Sequence, residues 1–190
     1  ISPRHHCTFP YIRLLVGPTD FTPGSLRQAN KANFKPQDIP DTPPMSQGTI
    51  AHEMALFVVL DQGIASLCDA PTEYDKYPDL ERLVTQVPVT WNEALPLDGK
   101  VSEHILIAKR HGAEWYIGAL TADEARSYNV KLDFLTRGTT YDVEIIADSA
   151  DSEDSPRHYQ VIKQIVKRGD TLPLTLVKGG GAAIKLTPRN

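Results

Sequence analysis

The chain has 190 residues, of which 41% are hydrophobic and 23% are charged, and these proportions are typical of globular proteins. The formal net charge of −4, without a basic stripe interleaved with aromatic residues, argues against a general nucleic-acid-binding protein. The longest apolar runs, such as residues 54–60, fall well short of the roughly 20 residues that cross a membrane, so no membrane span is predicted.

The first predicted element is a strand at residues 8–16, a short apolar run that is rich in aromatic and branched side chains. Such runs are typical of parallel strands that are buried on both faces. A loop at residues 17–24 follows, in which two prolines fix φ and two glycines allow turns that other residues cannot make. The sequence therefore predicts a stiff loop that holds the carboxylate of Asp20 in place.

Two helices are predicted after this loop. Residues 48–67 suit a largely buried helix that begins at a Ser46 or Thr49 cap, and a shorter helix has Pro78 in its first turn. The prolines within residues 34–44 indicate an extended loop before the first helix. Strand, loop and helix in this order form the unit of an α/β barrel, whose active site lies on the loops that follow the strands. A whole barrel needs about 250 residues, so this chain supplies one unit of it.

From about residue 100 the pattern changes from helical to alternating. Seven short strands separated by turn signals predict an antiparallel β-sandwich or jelly roll. The predicted strands are residues 103–109, 114–121, 126–134, 139–147, 157–166, 170–177 and 181–187. The predicted domains are therefore 1–98, with one α/β unit and helices, and 99–190, an all-β domain.

The cysteines and the polar clusters give no strong signal of a metal site. Cys7 and Cys68 lie in apolar segments and are interpreted as two buried free thiols, with a disulfide as the alternative. Adjacent histidines on a strand point to opposite faces, so His5 and His6 cannot easily share one ion. Residues 148–154 are acidic but lack the central glycine of an EF-hand calcium loop, which favours a solvated hairpin loop.

Several motifs, in order along the chain, resemble glycoside hydrolase family 97. Residues 5–13 with the loop at 17–24 resemble the last barrel-strand region of that family, and residues 51–59 resemble its final barrel helix. Further matching segments are residues 69–71 with Tyr74, 87–93, 115–118 and 179–184. The resemblance covers nearly the whole chain.

The resemblance implies a bacterial exo-acting α-glucosidase or α-galactosidase, of which this chain is the carboxyl-terminal third. Residues 1–98 would then end a catalytic (β/α)8 barrel, and residues 99–190 would form its terminal β-sandwich. The resemblance also implies a calcium ion whose ligands lie upstream, together with the catalytic carboxylates. The implied partners are an oligosaccharide substrate and the rest of the parent chain, and the implied location is periplasmic or secreted.

Two residues are assigned to a wall of the substrate pocket, and no catalytic residue or metal ligand is assigned to this chain. Asp20 would contact a sugar hydroxyl or orient a neighbouring group, with a turn-forming aspartate as the alternative. Arg13 would contact the ligand or form an ion pair inside the wall. Because glycoside hydrolysis needs two carboxyl groups flanking the bond, the isolated 190 residues are expected to be inactive.

A second function class is a non-catalytic carbohydrate-binding or structural β module that works as a separate chain. The exposure of apolar surface distinguishes it from the enzyme fragment. Only a fragment would leave the apolar faces of residues 8–16 and 48–67 without cover.

Overall fold

The computed structural model describes residues 1–35 and 45–189. The chain opens with short helices α1 (Pro3–His6) and α2 (Phe9–Arg13), and a 3-10 turn at Leu14–Val16. The prediction of a strand at residues 8–16 is therefore wrong, and with it the strand-loop-helix unit. Pro10 sits in the first turn of α2, where its fixed φ suits a helix and its missing N–H costs nothing.

The long buried helix is α3 (Ile50–Val59), and every residue of it is buried. The Thr49 side chain caps it by accepting a hydrogen bond from the His52 N–H at 3.1 Å. The helix predicted at residues 48–67 is confirmed in its first part but ends at Val59, because Leu60 is extended and the polar Asp61 follows. The extended loop predicted at 34–44 lies, from residue 36 on, outside the described residues.

Two further helices follow, α4 (Pro71–Tyr74) and α5 (Pro78–Gln86). Both begin with a proline in the first turn, and the prediction of a helix starting at Pro78 is confirmed. Two strands of two residues, β1 (Gln28–Ala29) and β2 (Ser46–Gln47), form a small parallel pair. Among the described residues, no helix has the length and apolar character of a membrane crossing.

The β domain holds eight strands in two sheets. They are β3 (Glu93–Lys100), β4 (His104–His111), β5 (Glu114–Thr121), β6 (Arg126–Lys131), β7 (Thr140–Asp148), β8 (Tyr159–Lys167), β9 (Thr171–Leu176) and β10 (Gly181–Pro188). The larger sheet has the antiparallel order β3-β4-β5-β10-β7-β8, and β6 pairs with β9. All seven predicted strands are confirmed, and β3 is an additional strand that spans residue 98.

The larger sheet packs on both of its faces. One face meets β6 and β9, and Leu172 and Leu174 pack there with Val143 and Ile145 in an apolar sandwich core. The other face meets α3, whose apolar residues share a second core with Leu120 and Ile146 of the sheet. Helix α3 therefore lies on the face of the larger sheet that is opposite to β6 and β9.

Both cysteines are free thiols, as expected. Cys7 is buried, and burial raises the pKa of its thiol to about 12. Cys68 is exposed, so its predicted burial is wrong. It lies in the polar loop after α3, where the predicted helix has already ended.

Candidate functional site

The two predicted pocket-wall residues lie on opposite sides of a turn. Arg13 ends α2 and is half-buried, whereas Asp20 is exposed in the loop at residues 17–24. Within the described ranges, neither side chain takes part in an ion pair. The loop is anchored beside Asp20, because the backbone N–H of Thr19 donates to the Asp61 carbonyl at 2.8 Å.

The far end of the loop is held by a buried carboxylate. Glu53 of α3 is 3% exposed, and its Oε2 accepts a hydrogen bond from the Gly24 N–H at 3.0 Å. Burial raises the pKa of Glu53 to about 7, although hydrogen bonds from the backbone of Gly24 and Ser25 and from the Ser46 hydroxyl oppose the rise. The carboxyl group thus holds the loop end through the Gly24 N–H.

Gly24 is fixed from its carbonyl side as well. The Tyr74 hydroxyl donates to the Gly24 carbonyl oxygen, and the φ of Gly24 is 93°. A Cβ atom at this position would lie 2.2 Å from the Tyr74 hydroxyl and 3.0 Å from Cζ of Phe57. Only glycine fits both the conformation and the space, so the prediction of a stiff loop is confirmed at this end.

The loop after α3 runs beside this segment. The Cys68 N–H donates to the Pro23 carbonyl at 3.0 Å, and the Leu26 N–H donates to Oδ2 of Asp69 at 2.7 Å. Arg27 forms an ion pair with Asp69 at 3.4 Å. Residues 17–27 and 61–69 therefore form one surface.

A neutral histidine pair lies at the other end of this region. Nδ1 of His52 is 3.0 Å from the Gly180 carbonyl, so this nitrogen carries the proton, and Nε2 accepts from Nδ1 of His6 at 3.0 Å. Burial lowers the pKa of His52 to about 4, and burial together with His52 lowers the pKa of His6. His6 belongs to α1, so its expected place at the entry of a strand is wrong.

Asp148 joins α3 to the β domain. Its Oδ1 accepts from the Thr49 hydroxyl at 2.6 Å, and its Oδ2 accepts from the N–H groups of Val177 and Gly181, each at 3.0 Å. Burial raises the pKa of Asp148 to about 7, while these hydrogen bonds oppose the rise. The expectation of a solvated acidic loop is therefore wrong for its first residue, which is 3% exposed.

Three buried groups have no access to a substrate, and of these only Glu53 bonds to the loop at residues 17–24. Glu53, Asp148 and His52 are each at most 3% exposed, whereas Asp20 is exposed on the loop. In residues 1–35 and 45–189, no three His, Cys, Asp or Glu side chains are arranged to hold a metal ion. The exposed carboxylate of Asp20 thus lies on a loop whose backbone is anchored at Thr19 and Gly24.

One feature of the sequence indicates a supporting residue. Glu53 is a charged residue at the start of the apolar run 54–60, and a carboxylate in such a helix needs buried hydrogen-bond partners. That requirement indicates a tertiary contact at Glu53, but not that Gly24 supplies it.

Exposed apolar side chains flank the same surface. Leu15 is 82% exposed, Val16 81%, Ile12 61% and Ile64 79%. Apolar side chains are often exposed singly on protein surfaces, whereas here four large ones lie on two segments. These four residues are named the apolar margin below.

The comparisons with known proteins agree on one family. Residues 90–187 match the family model described as glycosyl-hydrolase 97 C-terminal, oligomerisation. The chain is 34% identical over 183 residues to a retaining alpha-galactosidase of Bacteroides thetaiotaomicron. The aligned region covers 96% of this chain and 27% of that protein. It is 30% identical over 181 residues to a probable retaining alpha-galactosidase of Streptomyces bingchenggensis.

A solved structure is similar over the full chain. A glycoside hydrolase family 97 enzyme from Pseudoalteromonas sp. strain K8, in complex with panose, has a TM-score of 0.87 and 31% identity. The match covers 100% of this chain and 29% of that enzyme. A beta-arabinopyranosidase with a TM-score of 0.75 and 24% identity shares the fold. The chain thus spans about a quarter of the length of the curated relatives it matches.

Proposed function

The chain belongs to glycoside hydrolase family 97, and we propose that it is the carboxyl-terminal part of an exo-acting α-galactosidase or α-glucosidase. The proposed substrate is an oligosaccharide with a terminal α-linked sugar. The observation that carries this proposal is the alignment with a retaining alpha-galactosidase over 96% of the chain, which includes both the helical part and the β domain.

The apolar margin supports a larger parent protein over a separate β module. Of the two segments expected to lack cover, residues 8–16 leave Leu15 and Val16 exposed, at 82% and 81%. The expectation is wrong for the helix, because every residue of α3 is buried within this chain. At about 25 cal/mol per Å² of apolar surface, covering such residues contributes favourably to docking on another part of the protein. We therefore assign the apolar margin to contact with the upstream catalytic barrel, and residues 1–98 to the helical layer that completes it.

The loop at residues 17–24 is assigned to the wall of the substrate pocket. Glu53 and Tyr74 hold its end at Gly24, and Thr19 is anchored beside Asp20, so an exposed carboxylate is presented at a fixed place. An ionised carboxylate has two oxygens that can accept hydrogen bonds from sugar hydroxyls. Asp20 is therefore a binding or positioning residue in this proposal, and Arg13 lines the same wall at the end of α2.

The catalytic carboxylates and the calcium ion are assigned to the upstream part of the parent. Calcium takes six to eight oxygen ligands, and their upstream position in the parent is proposed from the family alone. A periplasmic or secreted location is proposed from the family alone, and cell fractionation tests it. The β domain is proposed to serve oligomerisation, as the description of the matching family model states.

Kinetics on the full-length parent protein test the assignment of the activity. The parent should hydrolyse nitrophenyl α-galactoside or nitrophenyl α-glucoside, and absence of both activities would refute the proposed class. Asp20→Ala should lower kcat/KM by about tenfold to a hundredfold, the effect of losing a hydrogen bond to a charged group. Asp133→Ala, at an exposed position of the β domain, is the matched control and should leave kcat/KM unchanged. Equal kinetics for both variants would remove Asp20 from the pocket wall.

A further inference from the structure

The two edges of the six-stranded sheet differ in their protection. β3, at one edge, contains Pro96 and a register shift between Pro96 and Asp98, and both features discourage pairing with another strand. β8, at the other edge, pairs with β7 residue by residue over all nine of its positions. It contains no proline and four Val or Ile residues, so β8 is a regular, uninterrupted edge.

The hydrogen bonds identify which backbone groups of β8 point away from the sheet. The Thr140 carbonyl accepts from the Arg189 N–H at 2.9 Å, so the polar groups of Thr140 face β10. Its register partner Lys167 then faces away from β7, and the Lys167 N–H indeed bonds to Oδ2 of Asp170 at 2.8 Å. Because the direction alternates along a strand, the N–H and C=O groups of Val161, Lys163 and Ile165 point outward.

Each face of β8 carries one exposed isoleucine among polar side chains. Ile165 is 56% exposed and Ile162 is 38% exposed, and consecutive positions alternate between faces. On the side of Ile165, a cleft of about 590 Å³ lies between α5 and the strand, lined by Leu83 and by charged side chains such as Glu144 and Lys163. Strand edge, exposed isoleucines and cleft together offer a surface for a further strand and its side chains.

We propose that β8 pairs with β8 of a second copy of this chain, antiparallel across a two-fold axis. This inference rests on the proposed oligomerisation role of the β domain. The family model with that description covers residues 90–187, which include β8 but not the apolar margin. A two-fold contact uses the same patch twice, as a strand edge allows. If the two-fold axis passes beside Ile162 or Gln164, Lys163 does not lie opposite Lys163 of the second copy. Like charges then do not face each other directly across the pair.

A proline at position 163 tests the pairing directly. Lys163→Pro removes an outward N–H and leaves the ladder to β7 intact, since proline is tolerated where the N–H faces solvent. Lys163→Ala keeps the N–H and removes only the exposed side chain, which pairs with Glu144 at 3.3 Å. In the full-length parent, sedimentation should give a dimer for the wild type and Lys163→Ala. Lys163→Pro loses two symmetry-related hydrogen bonds, so its dissociation constant should rise about thirtyfold.

Amide hydrogen exchange of the wild type provides a second test that needs no variant. The outward amides of Val161, Lys163 and Ile165 should become protected as the protein concentration rises through dimerisation, while β3 amides should not change. Protection of these amides at all concentrations would indicate cover by the parent chain itself and overturn the inference. A dimer unaffected by Lys163→Pro, or broken equally by Lys163→Ala, would overturn it too, while leaving oligomerisation intact. A wild type that is monomeric at every concentration would overturn both the inference and the oligomerisation role, but not the hydrolase activity.

Discussion

The buried carboxyl group of Glu53 predicts a specific dependence of stability on pH. Its pKa is about 7 in the folded chain, against an ordinary value of 4.5, and burial is the main cause. The folded state therefore prefers the protonated form. Stability from this group is fully present below pH 4.5 and is lost as pH rises through 7. At 1.36 kcal/mol per unit, the shift amounts to about 3 kcal/mol.

Glu53→Gln removes the titration and keeps an oxygen that can accept from the Gly24 N–H. Urea unfolding of the 190-residue chain should therefore show the variant gaining about 3 kcal/mol on the wild type between about pH 4.5 and 8.5. Subtracting the two curves cancels the contributions of Asp148, which titrates in the same direction, and of His52, which acts in the opposite direction. Glu81→Gln, at an exposed position of α5, is the control for replacing a carboxyl group by an amide on a helix. A flat difference for Glu53→Gln would refute the buried, ionisable carboxyl group.

Further substitutions test the loop and the buried lysine. Gly24→Ala should lower the free energy of unfolding by about 3–5 kcal/mol, because its φ is disfavoured for alanine and the new Cβ clashes with Tyr74. Gly17→Ala should lower it by only about 1–2 kcal/mol, because Gly17 has a φ of 113° but open space around it. Equal costs in urea unfolding would contradict the clash. Lys109 is 1% exposed and its ammonium is 2.7 Å from Asp61, so Asp61→Ala, which strands a buried charge, should lower the Tm more than Lys109→Met, which removes it. The reverse order would show that the buried ammonium of Lys109 does not depend on the half-exposed carboxylate of Asp61.

The sandwich could be predicted from the sequence because its strands carry a local signal. Tyr141, Val143 and Ile145 alternate with polar residues and all face the sandwich core. The turn of the β4–β5 hairpin is also marked locally, because Gly112 has a positive φ. Strand β3 escaped prediction because Pro96 and its bulge interrupt the alternation.

The first sixteen residues could not be predicted from their own pattern. A short apolar run is compatible with a buried strand or with a helix, and here the exposed Leu15 and Val16 show that its apolar side chains are not buried within this chain. The run therefore reads like a core strand although it forms α2 and the turn behind it. Its composition reflects a surface that, in the proposed function, another part of the parent covers.

The support of the candidate site was equally beyond local patterns. The contact of Glu53 with Gly24 joins residues 29 positions apart, and that of His52 with Gly180 joins residues 128 apart. Nothing in a local window relates such partners. The loop itself was visible, because two prolines and two glycines around Asp20 restrict it wherever it lies in the fold.

The central claim is that this chain is one part of an α-glycosidase whose catalytic carboxylates lie upstream. The most direct measurement compares turnover of nitrophenyl α-galactoside and nitrophenyl α-glucoside by the full-length parent and by residues 1–190 alone. The account predicts hydrolysis by the parent and no rate above the uncatalysed reaction for residues 1–190, even with calcium added. Measurable turnover by the 190 residues would contradict it, because both carboxyl groups would then lie within this chain.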